Sequence, residues 1–210
     1  INKVNEKIIK DALQHAIQNP QQLEFQSQKC KTLVDSLGTK RVSELLIYGI
    51  DTKALFVREA NNEDCQLYWY WANDPLVRAN AFHQQYIELK DHEIWFKKRL
   101  NDPEVIMLVI DSEFGPVGQV RFDRINSNLI LSYSLARQYR GFGLGKTIIA
   151  EAIDRLPQRH SFTIIAEVKE NNLSSRKIFE KVGFSEVAKS HKYNQQIFTY
   201  HLQISPNKQH

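Results

Sequence analysis

Cysteine is scarce in this chain: Cys30 and Cys65 are its two, and they form no metal or redox spacing. No Cys/His cluster offers a zinc site, so both read as small buried apolar residues and no metal is expected. Long apolar runs are also missing. No stretch of about eighteen apolar residues occurs and no secretory leader is visible, so the expectation is a soluble cytoplasmic protein away from membranes. Nor is charge of one sign in large excess: 28 basic residues against 24 acidic leave +4. That balance suits an anionic small molecule. Without a basic stripe interleaved with aromatics, nucleic acid is not an expected partner. No internal repeat is present. Residue 1 is isoleucine, so the expectation is a removed start or a chain cut from something longer.

What is present is ordinary globular composition, 210 residues with 42% hydrophobic and 25% charged. That is enough for one sizeable core and an appendage. Within it, an apolar strand from Leu129 runs into Arg140-Gly-Phe-Gly-Leu-Gly145 and on into a helix ending near Leu156. Glycines there let backbone N–H groups approach an anion, and the helix aims its positive end at the same spot. The Walker pattern fails because position 140 is arginine, and the dinucleotide fingerprint fails because the glycines sit at 141, 143 and 145. A tight strand-to-helix turn without a ligand is the plain alternative.

The spacing that fits is Arg-x-x-Gly-x-Gly, with Arg140, Gly143 and Gly145. It resembles the acetyl-coenzyme A loop of the GNAT acetyltransferases. Downstream, Ser161–Val168 alternates as a strand with Phe162, Ile164, Ala166 and Val168 on one face. Next, Asn172 or its neighbour caps a helix, Ile178 and Phe179 lie on its buried side, and Gly183 stops it. The phrase Asn172 to Phe184 resembles the second GNAT signature at the expected distance. The resemblance implies a mixed α/β (α+β) fold. Its central sheet is mostly antiparallel, with six to seven strands, splayed between the fourth and fifth and flanked by helices.

Residues 1–50 read as an all-helical extension. Val4, Ile8, Ile9, Ala12, Leu13, Ala16 and Ile17 recur at helical spacing up to Asn19-Pro20, with further helices over 22–34 and through Val42, Leu45 and Leu46. Residues 49–53 read as a linker to a GNAT domain over 51–206. Cys30 to Val42 resembles the C-terminal tail of the nucleotide-sugar hydrolases of pseudaminic-acid biosynthesis. That implies the stub of a larger hydrolase, fused or associated; a helical extension packed on the acetyltransferase is the alternative. In the domain itself, strands are expected over 54–59, 105–111, 116–124, 184–188 and 195–204, and helices over 62–73 and 89–100.

By the GNAT resemblance, main-chain groups around Leu135 and Ala136 hold the pantetheine arm of acetyl-CoA. The amides of Arg140, Gly141, Gly143, Leu144, Gly145 and Lys146 hold its pyrophosphate, with Arg140 adding charge. Lys146 is equally readable as a solvated surface lysine. The helix dipole contributes about 0.3–1 kcal/mol when exposed, so several N–H bonds are needed as well. Asn172 is implied near the sulfur. The family's thiolate donor position falls on Phe179, which has no hydroxyl, so Tyr200, Tyr193 and Tyr133 are substitutes, with Tyr200 the first candidate. The base is open between His92, Glu167 and a water relay.

The acceptor wall is expected from Trp69 to Arg78, then Asn80, Phe82, His83 and the segment His92 to Phe96. Its indoles suit a sugar or nucleobase, and Arg78 a phosphate. Together with Gln119-Val-Arg121-Phe-Asp123, these phrases resemble acetyltransferases acting on amino groups of nucleotide-linked deoxysugars. The resemblance implies Arg78, Asn80, Trp95 and Arg121 as acceptor contacts. The expected reaction is acetyl-CoA-dependent acetylation of the 4-amino group of a UDP-linked amino-deoxysugar in nonulosonic acid formation. Protein N-terminal (ribosomal-protein-type) or other small-amine acetylation, or non-catalytic coenzyme binding, are the alternatives.

Overall fold

The computed structural model describes residues 55–157, 160–192 and 195–206. The helices expected over 1–50, the linker at 49–53 and Tyr193 lie outside the described residues. Strand β1 (Phe56–Glu59) leads through a 3-10 turn into helix α1 (Cys65–Ala72), then α2 (Pro75–Asn80) and α3 (Leu89–Leu100). Strands β2 (Val105–Ser112), β3 (Gly115–Ile125) and β4 (Asn128–Leu135) follow as a meander. The chain then alternates: helix α4 (Leu144–Asp154), strand β5 (Phe162–Lys169), helix α5 (Leu173–Val182), and the closing strands β6 (Ser185–Lys192) and β7 (Gln195–Ile204).

The seven strands form one sheet in the order β1-β2-β3-β4-β5-β7-β6. Every pairing is antiparallel except β4 with β5. This is the mixed sheet the GNAT resemblance implied. Ile125 pairs with Asn128 across a two-residue turn whose Asn126 has φ 56, a conformation asparagine tolerates. Further along the same pair, a Cβ on Gly118 would lie 2.4 Å from the Ser134 carbonyl oxygen, so β3 and β4 need glycine there to approach.

Met107 to Ile110 are buried in succession, which a strand shows when both sheet faces are covered. Tyr68 of α1 and Phe96 of α3 meet at 5.2 Å between ring centroids, and the Tyr68 hydroxyl donates to the Leu108 carbonyl at 3.0 Å. Helix α4 packs on β3 and β4 through Leu144, Ile148, Ile149 and Ala152, all buried. A large aliphatic side chain buried this way stabilises by about 1.5–3 kcal/mol.

Two elements depart from the sequence reading. Between the expected helices over 62–73 and 89–100 stands a further one, α2: Asp74 caps it by accepting from the amides of Leu76 and Val77, and Pro75 stands at its first position. Strand β6 runs to Lys192, beyond the expected 188.

Candidate active site

Strands β4 and β5 touch over three pairs, Asn128–Thr163, Leu129–Ile164 and Ile130–Ile165, and then separate. Beyond Ile130, β4 has β3 on one side and, among the described residues, no strand on the other. The Ala136 amide donates to the Val117 carbonyl at 2.9 Å, continuing the uniform β3–β4 register. Because an antiparallel ladder alternates, Leu131, Tyr133 and Leu135 turn their main-chain groups toward the open side. An interior sheet edge with unpaired N–H and C=O groups calls for a partner. An extended amide-bearing chain would supply one.

This edge leads to the mouth of α4. Gly143, with φ 77, is the N-cap residue, and Gly141 has φ 87. Both glycines are required by conformation, since a Cβ at either would meet open space. Gly145 has a different reason: a Cβ there would come within 2.5 Å of Ile178 Cδ1 on α5, so it sets the distance between the two helices.

Arg140 is half-buried and already partnered. Its Nε donates to the Leu135 carbonyl at 3.0 Å and Nη1 pairs with Asp74 Oδ1 at 2.8 Å. Burial pushes the Asp74 carboxyl up, yet Arg140 and the Val77 and Leu76 amides outweigh it and hold the pKa below the usual range. Among the described residues the buried Nη2 of Arg140 has no hydrogen-bond partner. That leaves one donor at the helix mouth for an incoming oxygen. Lys146 is exposed.

On the other side of β4 lies a cavity of about 370 Å³. Trp71, Trp95, Tyr68 and Tyr133 give it an aromatic lining, and Arg78, Arg121, Asp91, His92, Gln119 and Ser134 its polar groups. The Arg121 guanidinium lies 5.2 Å from the Trp95 ring centroid and its Nε is 2.8 Å from Asp123. His92 is buried at 2% exposure, and its Nε2 donates to the Cys65 carbonyl at 3.0 Å, since that oxygen can only accept. Burial holds its pKa below the ordinary value, so the ring is neutral and Nδ1 is the bare nitrogen.

Helix α2 and the chain after it form the roof. Asn73 brackets Ile87 from both sides, donating to its carbonyl at 2.9 Å and accepting from its amide at 2.8 Å; the Trp69 indole donates to the same carbonyl at 2.7 Å. Arg78 donates to the carbonyls of Ala72, His83 and Gln85. Burial lowers its pKa, and no carboxylate pairs with it among the described residues. The Lys169 ammonium, 2% exposed, donates to the Ala79 carbonyl at 2.9 Å and ties the end of β5 to α2.

A profile of the acetyltransferase (GNAT) domain family matches residues 54–185. The chain belongs to the GNAT acetyltransferase family. Among GNAT structures, the spermidine N-acetyltransferase of Vibrio cholerae with CoA and spermine is similar: TM-score 0.65 and 19% identity, over 72% of this chain and 96% of that one. The yncA structure from Salmonella typhimurium with its cofactor acetyl-CoA is another, with TM-score 0.60 and 18% identity, over 74% and 97%. An uncharacterized protein of Methanocaldococcus jannaschii is 24% identical over 158 residues, 73% of this chain. This GNAT chain spans about a third (32%) of that relative's length.

The structure distributes the predicted GNAT residues unevenly. Arg78, His92, Trp95 and Arg121 share the cavity lining, while Asn80 does not line it. Asn172 caps α5, accepting from the Ser175 amide at 3.2 Å. Phe179 is buried against Tyr133 and Tyr200. Tyr200 is fully buried and does not contribute to the cavity lining; its hydroxyl accepts from Arg176 Nε at 3.1 Å and donates to Glu180 at 3.4 Å. Glu167 pairs with Lys192 and is likewise not in the lining. Around Leu135 and Ala136 part of the main chain is already in use. The Leu135 carbonyl is taken by Arg140, and Ala136 uses its amide on Val117 and its carbonyl on Tyr139.

Sequence reasoning missed Lys169 altogether and gave no separate role to Asp74, Ser175 or Gln119, which it met only inside longer motifs. Asp74 was within reach, because Asp-Pro ahead of an apolar pair is a helix-start signal. Lys169 carries no local signature.

Proposed function

We propose that this domain transfers the acetyl group of acetyl-CoA to the 4-amino group of a UDP-linked amino-deoxysugar. For the donor, support comes from the unpaired edge of β4, the amides at the α4 mouth and the free Nη2 of Arg140. A pantetheine arm carries amides that complete such an edge, and a diphosphate suits the helix end. The relatives bound to CoA and acetyl-CoA support the same donor.

For the acceptor, the observation that carries the reading is the cavity's charge. Two guanidiniums, Arg78 and Arg121, face it against one carboxylate, Asp91, within an aromatic lining. Indoles stack on sugar and base rings, and guanidiniums match phosphate oxygens. In this reading Trp95, Arg78 and Arg121 hold the nucleotide-sugar, and Asn80 borders it. Neutral His92 takes the proton shed by the amine through Nδ1, and Asn172 keeps the α5 end in place beside the thioester. A short stretch resembling a nucleotide-sugar hydrolase tail, Cys30 to Val42, supports a neighbouring step in nonulosonic acid formation.

A small polyamine acceptor is the second reading, favoured by the Vibrio cholerae relatives, which are spermidine N-acetyltransferases. The cavity counts against it, because a polycation needs carboxylates and meets two arginines instead. The test is CoA release with a UDP-linked 4-amino-deoxysugar, spermidine and peptide amines side by side. Turnover of the sugar above the others is expected; turnover of spermidine or peptides alone rejects the sugar.

A further inference from the structure

Cleaving a thioester with an amine leaves a thiolate, and that sulfur must receive a proton. Few groups in the cavity can deliver one. Tyr68 spends its hydroxyl proton on the Leu108 carbonyl, and His92 spends its Nε2 proton on the Cys65 carbonyl. The guanidiniums of Arg78 and Arg121 do not release protons.

Tyr133 is placed differently. It belongs to the unpaired stretch of β4, lines the cavity, and its hydroxyl lies 3.0 Å from Ser175 Oγ. Either oxygen of that pair can donate, so the tyrosine proton is not committed. Its ring stands edge-on to Phe179, with 5.7 Å between centroids and 83° between planes. Ser175 is fixed in the first turn of α5, where Asn172 accepts from its amide.

We propose that Tyr133, backed by Ser175, protonates the departing CoA thiolate. The assignment rests on the acetyl-CoA reading above. The amine nitrogen bonds to the thioester carbonyl carbon, the C–S bond breaks, and its electron pair leaves on sulfur. Sulfur takes the proton of Tyr133 Oη, which regains one from Ser175 Oγ, itself resupplied by water. The proton lost by the nitrogen leaves through His92 or water, so one proton departs for each one delivered. Burial raises the Tyr133 pKa against a smaller opposing effect of Ser175, which keeps the phenol protonated until the thiolate forms.

CoA binding to the wild-type protein, measured by calorimetry, is the first arm; no binding rejects the acetyl-CoA reading and this assignment with it. With CoA bound, Tyr133→Phe is expected to lower kcat about 10²-fold at unchanged acetyl-CoA affinity. It is also expected to raise the pH at which the bound CoA thiol ionises, followed by thiolate ultraviolet absorbance. Adding Phe179→Tyr returns a hydroxyl from the other ring of the pair and is expected to recover roughly tenfold of the loss. Wild-type kcat with an unmoved thiol titration in Tyr133→Phe overturns the assignment. Should that variant fail to fold, Ser175→Ala carries the test. A roughly tenfold lower kcat with a shifted thiol titration supports the relay, and no change in either overturns it.

Discussion

Asp74 and Arg140, 66 residues apart in sequence, meet at 2.8 Å and join the N-cap of α2 to the glycine loop. One carboxylate oxygen serves both the helix and the loop, accepting from Arg140 and from the Leu76 and Val77 amides. Asp74→Ala is therefore expected to cost about 0.5–2 kcal/mol for the cap alone. Leaving Arg140 without its partner adds to that. Asp74→Asn keeps an oxygen for the cap and is expected to lose less. Urea denaturation of both variants checks the order. Equal losses would mean the cap contributes little.

His92 gives a pH dependence of known sign. Its folded pKa is depressed by burial, so between that value and about 6.5 the unfolded chain binds a proton that the folded one refuses. Stability is expected to fall as pH drops below about 6.5, levelling once the folded imidazole also protonates. Comparing denaturation midpoints of wild type and His92→Gln across that range isolates the contribution. A variant with the same slope as wild type would assign the dependence elsewhere.

Arg121 is expected to act on the acceptor alone. It faces the cavity beside Trp95 and is anchored by Asp123, away from the glycine loop. A hydrogen bond to a charged group contributes about 1.5–3 kcal/mol, so on the proposed acceptor reading Arg121→Met is expected to raise KM for the nucleotide-sugar roughly ten- to hundredfold. The KM for acetyl-CoA stays put. Steady-state kinetics with each substrate varied in turn will show the split. An equal rise in both constants would argue for general damage.

Gly145 and Ile178 form a second pair whose coupling is measurable. An alanine methyl would meet Ile178 Cδ1 at 2.5 Å, and overpacking of this kind costs about 1–3 kcal/mol. Ile178→Val removes that carbon. The double variant is expected to recover most of the loss, giving a non-additive thermodynamic cycle. Additive losses would mean the helices shift apart without help from Ile178.

The glycine loop and the α5 cap were readable because each depends on local chemistry. Gly141 and Gly143 take positive φ, Gly183 ends α5 with φ 109, and Asn172 caps it, all within a few residues of chain. The motif around Trp69 to Arg78 was readable as a site but not as a mechanism. Asn73 and Arg78 were read as part of an acceptor wall; Arg78 does line the cavity, and both also hold the following loop through its carbonyls and amide. Such contacts depend on where a loop returns, which periodicity does not encode. The same holds for Tyr133 and Tyr200. Both sit on strands, and only the register decides which hydroxyl reaches the cavity and which meets Arg176.

Helix α2 buries none of its six residues, yet it roofs the cavity through Val77 and Arg78. Its front end is moored to Arg140 and its rear, through the Ala79 carbonyl, to the ammonium of Lys169. A roof moored by cations rather than by packing follows whatever else those cations bind. On the proposed reading, a phosphate arriving at Arg140 would thus be felt above the amine, and the two halves of the reaction would take their partners interdependently.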